Sequence, residues 1–241
     1  MEKKWTQLWL KYDKKQDAGN GAFVQTVKFC GFDTKAAVVA NAWKELQRGV
    51  SGMLGIVPAL AGDGTENPKM VIALDAETVK KEGYRISCND GCLKLEAADE
   101  NGVLYGVFHV LRLIAMEQPL SKVTILCEPD NPMRMYNHWD NMDGSIERGY
   151  SGNSFFFEKG ELIIDERITD YARMVASVGI NGVVINNVNV KDEATWLITD
   201  RYFAKVAELS NIFAGYGIKL YLSLNYAAPL ELGGPDSADP L

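Results

Sequence analysis

The chain is 241 residues long, 47% hydrophobic and 24% charged, the make-up of a folded globular protein, which excludes disordered and collagen-like classes. Its net charge of −7 argues against nucleic acid or an anionic membrane surface as partner, because phosphate binding needs clustered Lys and Arg. Apolar runs such as Val103 to Met116 are interrupted by His109 and Arg112 and fall short of the roughly 18 to 20 residues that cross a bilayer, so no membrane span is expected.

The start, "MEKKWTQLWLKY", lacks the apolar stretch and small-residue cleavage site of a signal peptide. A native Met1 therefore implies a cytoplasmic protein, and a trimmed export signal a periplasmic or secreted one. The four cysteines, Cys30, Cys88, Cys92 and Cys127, are expected to be free and mostly buried. The C-x3-C of "CNDGC" straddles a turn, and neither His109 nor His138 completes a set at metal spacing, so no metal is expected.

In chain order, Val39, Trp43, Leu46, Val50 and Met53 recur at three- and four-residue steps and predict a core-facing helix between Lys35 and Leu54. "MVIALD", Met70 to Asp75, reads as a short buried strand. Tyr84, Ile86 and Cys88 alternate, Asn89-Asp90-Gly91 turns the chain, and Leu93, Leu95 and Ala97 resume the alternation, which predicts a hairpin. Asp99 caps a helix with Leu104, Val107, Phe108, Leu111 and Ala115 on one face, and His109 beside that face reads as a packed helical histidine. A strand at Lys122 to Cys127 and the breaker-rich linker "EPDNP" close this α+β half.

Beyond the linker, strand and helix alternate: strand Arg134 to Trp139, helix Asp165 to Val178, strand Gly182 to Val190, helix Asp200 to Tyr216, strand Lys219 to Ala227. Gly179 and Gly217 end the two helices. Such alternation implies parallel βα units, as in a doubly wound sheet or a (β/α)8 barrel. No G-x-G-x-x-G, G-x-x-x-x-G-K-[ST] or G-x-S-x-G is present, so no nucleotide cofactor site or nucleophile elbow is expected. Each strand is apolar first and polar last: "HWDN", "NNVN" and "NY" follow its apolar part. In a parallel barrel those ends open on one face, where the βα loops build the active site. Polar strand ends also simply meet solvent. Three such ends rich in Asn, Trp, Asp and Tyr fit carbohydrate recognition better, with amides and carboxylates on hydroxyls and an aromatic face over a sugar ring. The sequence reaches "GGPDSADPL" three strands into the alternation, which reads either as a small open α/β domain or as the front piece of a longer protein.

"RMYNHWDNMDGSIERGYSGNSFFF", "YARMVASVGINGVVINNVNV" and "GIKLYLSLNYAAPLELGGPDSADPL" closely resemble the α-glucuronidases of glycoside hydrolase family 67, and "GYRI" and "NGVLYGVFHVLRLI" occur in the order their N-terminal half shows. The resemblance implies an α+β N-terminal domain of chitobiase/hexosaminidase-like type over residues 1–130. It implies next, over 131–241, the first three βα strands of a (β/α)8 TIM barrel, incomplete in this chain. It implies hydrolysis, with inversion, of the α-1,2 bond joining (4-O-methyl)glucuronic acid to xylooligosaccharides in xylan degradation, with no cofactor. Inversion needs an acid and a base with carboxyls roughly 6.5 to 9.5 Å apart. By similarity those catalytic groups lie downstream of Leu241, and this chain alone is expected to be inactive.

By the same similarity the substrate-binding residues here are Trp139 and Asp140 at the first strand end and Glu147 and Arg148 in the loop beyond. Asn186, Asn187, Val188 and Asn189 follow on the second strand, and Asn225 and Tyr226 on the third. Glu147 is assigned to sugar hydroxyls, Val188 or a neighbour to the 4-O-methyl group, and Arg148 either to holding Glu147 or to the substrate. The implied partner is a glucuronoxylooligosaccharide, with a homodimer open to the full-length enzyme. The alternatives are a non-catalytic carbohydrate-binding protein with a partial barrel and an interaction module that pairs through its open strand edge.

Overall fold

The computed structural model describes residues 10–62, 67–186 and 192–234. The chain divides into two compact units: the first runs to Pro132 and takes in Arg173–Gly179 and Gly215–Gly217, and the second comprises the rest from Met133.

In the first unit the elements run α1 (Gly21–Val24), β1 (Thr26–Cys30), α2 (Ala37–Leu54), β2 (Ala59–Leu60), β3 (Met70–Leu74), β4 (Tyr84–Asn89), β5 (Cys92–Ala97), α3 (Glu100–Ala115) and β6 (Thr124–Cys127). The six strands form one sheet in the order β2-β1-β3-β5-β4-β6, in which β4 alone runs antiparallel to its neighbours. The hairpin turns at Asp90 (φ 50°) and Gly91 (φ 72°), the two successive left-handed residues of a type I′ turn. β1 was not legible in the sequence. It sets Val27 against Met70 and Phe29 against Ile72, but Val27 is its one fully buried residue, so "TVKFC" carries little alternation.

Val39, Ala42, Leu46, Val50 and Met53 of α2 are fully buried, and Gly55 at φ 70° ends the helix by returning its N–H to the Ser51 carbonyl. Asp99 starts α3 as expected, one carboxylate oxygen accepting from the Gly102 N–H (2.9 Å) and the other from the Glu82 N–H (2.8 Å). Small residues are required along α3: a Cβ on Gly106 would run into Leu95, and one on Gly102 into the Gly83 carbonyl oxygen. The four cysteines are free, but Cys127 is exposed and the other three half-buried, not mostly buried as expected. His109 Nδ1 meets the Tyr84 hydroxyl at 2.8 Å. Burial and the nearby Arg112 charge hold its imidazole below the ordinary value.

A buried ion pair completes this unit. Arg173 donates to both oxygens of Glu45, Nε to Oε2 at 2.7 Å and an Nη to Oε1 at 2.6 Å, and the Tyr12 hydroxyl donates to Oε1 at 2.6 Å. Glu45 is 2% and Arg173 6% exposed. Burial, then the Glu45 charge, pushes the Tyr12 phenol far up.

The second unit contains β7 (Met135–Asn137), β8 (Phe157–Glu158), β9 (Glu161–Leu162), the start of α4 (Glu166–Ser177, which passes into the first unit at Arg173), β10 (Gly182–Val184), α5 (Phe203–Ala214), β11 (Lys219–Tyr221) and α6 (Ala228–Glu231). β7, β10 and β11 form a parallel sheet in the order β11-β10-β7, with α4 and α5 as the connections that parallel neighbours require. The expected strand–helix alternation is present, but the strands are shorter than expected. β11 stops at Tyr221, and the expected tail of β10 at residues 187–190 lies outside the described residues. Phe156, Tyr171 and Phe213 pack edge-on or tilted with ring centroids 5.8 to 6.4 Å apart and form the aromatic centre of the unit.

Candidate functional site

Alternation along β7 and the residues after it sorts their side chains onto two faces. His138 lies on the α4 face: its Nε2 meets the Tyr171 hydroxyl at 2.5 Å, and its ring stands edge-on to Phe156 with centroids 5.0 Å apart. Burial raises the Tyr171 phenol strongly. Asn137 and Trp139 take the opposite face, where Asn137 is exposed and Trp139 is 40% exposed. The His138 N–H donates to the Val184 carbonyl (2.9 Å), so the pairing with β10 continues into the motif.

Asp140 returns to the α4 side and is 2% exposed. Its Oδ2 accepts from the Ser154 hydroxyl and the Phe155 N–H, both at 2.6 Å, and from the Phe156 N–H at 3.3 Å, while His138 Nδ1 lies 3.7 Å from Oδ1. Burial alone would raise this carboxyl, but the bonds from His138, Ser154 and Phe155 hold it below the ordinary value. The carboxylate expected to meet a sugar is thus occupied in tying down its own loop.

The loop between β7 and α4 is bonded to itself at many points. The Asn141 amide donates to Ser145 Oγ (2.9 Å) and to the Glu147 carbonyl (2.7 Å), and the Glu147 N–H donates to the Trp139 carbonyl (2.8 Å). These bonds hold Glu147 at φ 58°, left-handed backbone that a residue with a Cβ seldom adopts. The Glu147 carboxylate accepts from Ser151 Oγ at 3.1 Å and is also hydrogen-bonded to Tyr150, whose phenol is raised first by that bond. Arg148 is exposed, and among the described residues no ion pair joins it to Glu147. Of the two roles expected for Arg148, holding Glu147 is therefore performed by hydroxyls instead.

At the end of β10, Asn186 is 1% exposed, its Nδ2 donating to the Ser223 carbonyl and its Oδ1 accepting from the Ser223 N–H, both at 2.8 Å. The side-chain amide thus imitates a backbone pair and extends the sheet past Val184, with one donor and one acceptor site of the amide engaged by Ser223. Asn187, Val188 and Asn189 lie outside the described residues. After β11, Asn225 caps a turn by accepting from the Ala227 N–H (3.0 Å) and reaches Glu231 Oε1 at 3.3 Å, while Tyr226 is 85% exposed.

The structure therefore sorts the expected site residues into two groups. Trp139, Arg148 and Tyr226 present exposed surface and Glu147 a half-exposed carboxylate, whereas Asp140 and Asn186 brace the loop and the sheet. The sequence reading passed over His138, Tyr171 and Asn137. The signal available was strict alternation, which sets His138 apart from Trp139. Among the described residues no group of three His, Cys, Asp or Glu side chains is placed to hold a metal ion, and no helix is long and apolar enough to cross a membrane.

The chain thus joins an α+β unit to parallel βα units whose polar strand ends carry an exposed aromatic ring and a braced carboxylate. Solved structures share the fold: a β-hexosaminidase of Streptomyces plicatus (TM-score 0.55, 14% identity, 82% of this chain and 41% of that one) and a family 115 4-O-methyl-α-glucuronidase with specificity for decorated arabinogalactans (TM-score 0.56, 16% identity, 83% and 29%). Residues 8–110 match the N-terminal domain and residues 113–241 the middle domain of glycosyl hydrolase family 67, and the chain belongs to that family. A probable α-glucuronidase A of Aspergillus terreus strain NIH 2624 is 36% identical over 223 residues, covering 86% of this chain. The chain spans 26% of that relative's length.

Proposed function

We propose that this chain is part of an α-glucuronidase that hydrolyses, with inversion, the α-1,2 link of (4-O-methyl)glucuronic acid to xylooligosaccharides during xylan degradation. In this reading residues 1–130 are the N-terminal domain and residues 131–241 the first three βα units of a (β/α)8 barrel. Trp139 covers a sugar face, Glu147 accepts from uronic-acid hydroxyls, and Arg148, Asn225 and Tyr226 border the same opening. Asp140 and Asn186 hold the loop and strand ends that present them. The carrying observation is Glu147, fixed in left-handed backbone by Asn141 and the Trp139 carbonyl. Conformational strain of this kind persists where the surroundings over-determine it, and it concentrates at ligand sites.

Inversion needs an acid and a base with carboxyls roughly 6.5 to 9.5 Å apart, and by the family resemblance both lie downstream of Leu241. The acid and base are accordingly assigned outside this chain. The test is release of glucuronic acid from aldouronic oligosaccharides by the product of the complete reading frame and by the 241-residue chain. Turnover by the former and none by the latter is expected, and turnover by the 241-residue chain would refute the assignment of catalysis elsewhere. If neither hydrolyses the substrate but the chain binds it saturably in calorimetry, the carbohydrate-binding reading replaces the enzymatic one.

A further inference from the structure

His138 and Asp140 flank Trp139 in the sequence, and alternation turns both toward α4 while Trp139 turns away. Whatever fixes these two neighbours also fixes the direction in which the Trp139 ring points. Asp140 does more. Its backbone bridges to Ile146, the residue before Glu147, and its carboxylate holds Ser154 and Phe155 on the far side of the loop. The Ser154 N–H in turn donates to the Gly144 carbonyl at 2.7 Å. Both limbs of the loop that carries Glu147 therefore meet at Asp140.

The three loop donors all go to Oδ2 of that carboxylate, while Oδ1 faces His138 Nδ1 at 3.7 Å. A carboxylate oxygen favours the proton on the ring nitrogen opposite it, which leaves Nε2 of a neutral imidazole as an acceptor. The Tyr171 hydroxyl lies there at 2.5 Å, and burial keeps its phenol protonated, so it donates. Three rings hold the imidazole plane edge-on: Phe156 and Tyr171, with centroids 5.0 and 5.5 Å away, and Tyr136 at 6.4 Å. Packing alone would be served by phenylalanine at this position. Two aimed nitrogens go beyond that need and join Tyr171 of α4 to Asp140 of the loop, all within the second unit.

We propose that His138 is a positioning residue of the sugar site: pinned by Tyr171, it orients the Asp140 carboxylate and through it the loop that presents Trp139 and Glu147 to the uronic acid. The inference rests on the glucuronidase reading above. The His138 ring lies on the opposite face of the strand from Trp139, so it acts through Asp140 and not on the sugar. Trp139 and Glu147 grip the sugar in ground state and transition state alike, so the loss falls on binding and not on the chemical step.

The experiment uses the enzyme from the complete reading frame, assayed on an aldouronic oligosaccharide with glucuronic acid as product inhibitor. His138→Phe keeps the packing and removes both nitrogens. It is expected to raise KM and the inhibition constant about tenfold, the worth of one hydrogen bond to a charged group, with kcat within about twofold of the parent. His138→Asn, whose amide still donates toward Asp140, should bring both constants back to within about threefold. Tyr171→Phe deletes one oxygen from an otherwise unchanged ring and is expected to raise both about threefold, and adding it to His138→Phe should change nothing more, because the two act through one chain of contacts. Should His138→Phe fail to fold, Tyr171→Phe decides. An active parent whose constants do not move in the variants, even with a lowered melting temperature, overturns this inference and leaves the function standing. Multiplying effects in the double variant overturn it too. A parent inactive on every glucuronic-acid substrate overturns both.

Discussion

Removing Arg173 isolates a carboxylate that the fold has taken out of water. In Arg173→Leu, Glu45 loses two charge-assisted bonds of 2.7 and 2.6 Å and keeps the Tyr12 hydroxyl and the half-exposed Arg48 guanidinium at 3.5 Å. Breaking a buried pair from one side costs about 3–5 kcal/mol, and the two remaining partners place this case near the lower end, about 3 kcal/mol. For a chain of this size about 3 kcal/mol corresponds to a fall of roughly 6–12 °C in melting temperature. The assay is thermal unfolding by circular dichroism of the 241-residue chain, comparing Arg173→Leu, Glu45→Leu and the double variant. The double variant should recover much of the loss, because a pair of apolar side chains leaves no stranded charge. A single-variant loss below about 1 kcal/mol, or a double variant as unstable as the sum of the singles, would refute the reasoning.

Further outcomes follow from the same geometry. Asn186→Ala strands the N–H and carbonyl of Ser223 and should cost about 1–3 kcal/mol, read as a lower urea midpoint, whereas an unchanged midpoint would show that water replaces the amide. His109 titrates lower in the folded chain than in the unfolded one, so the unfolded state binds the extra proton first on acidification. Its contribution to stability is present above about pH 6.5 and is lost as pH falls through the lowered folded value. Between about pH 7 and about pH 5 the parent should therefore lose more melting temperature than His109→Gln, and parallel pH profiles would exclude the effect.

Helices and their caps were legible because their information is local. The spacing of Val39, Leu46, Val50 and Met53 defines a face without reference to any partner, and Asp99 sits three residues before the N–H it caps. What the local pattern did not carry were partners decided at a distance. A carboxylate after a strand reads alike whether it meets a sugar or a loop, and the groups that occupy Asp140 lie 14 to 16 residues further on at Ser154, Phe155 and Phe156. Asn186 is decided by Ser223, 37 residues away. β1 escaped for a related reason, since its placement beside β3 depends on a sheet order that the pattern of "TVKFC" does not encode.

The self-bonded loop after β7 also bears on the thermodynamics of any ligand it meets. Asp140 holds Ser154 and Phe155, Asp143 accepts the Ser145 N–H at 2.8 Å, and Asn141 spans to Glu147, all without help from a bound molecule. Fixing one residue's backbone costs about 1–2 kcal/mol in conformational entropy, and here that cost falls on the folding step. On the proposed function, a sugar bound at Trp139 and Glu147 would meet a loop already held by these bonds, and its affinity would not be diluted by ordering that loop. The same bonds make the loop intolerant of insertion: one extra residue between Asn141 and Glu147 would break the bonds that Asn141 and the Trp139 carbonyl make to Glu147 and release its carboxylate.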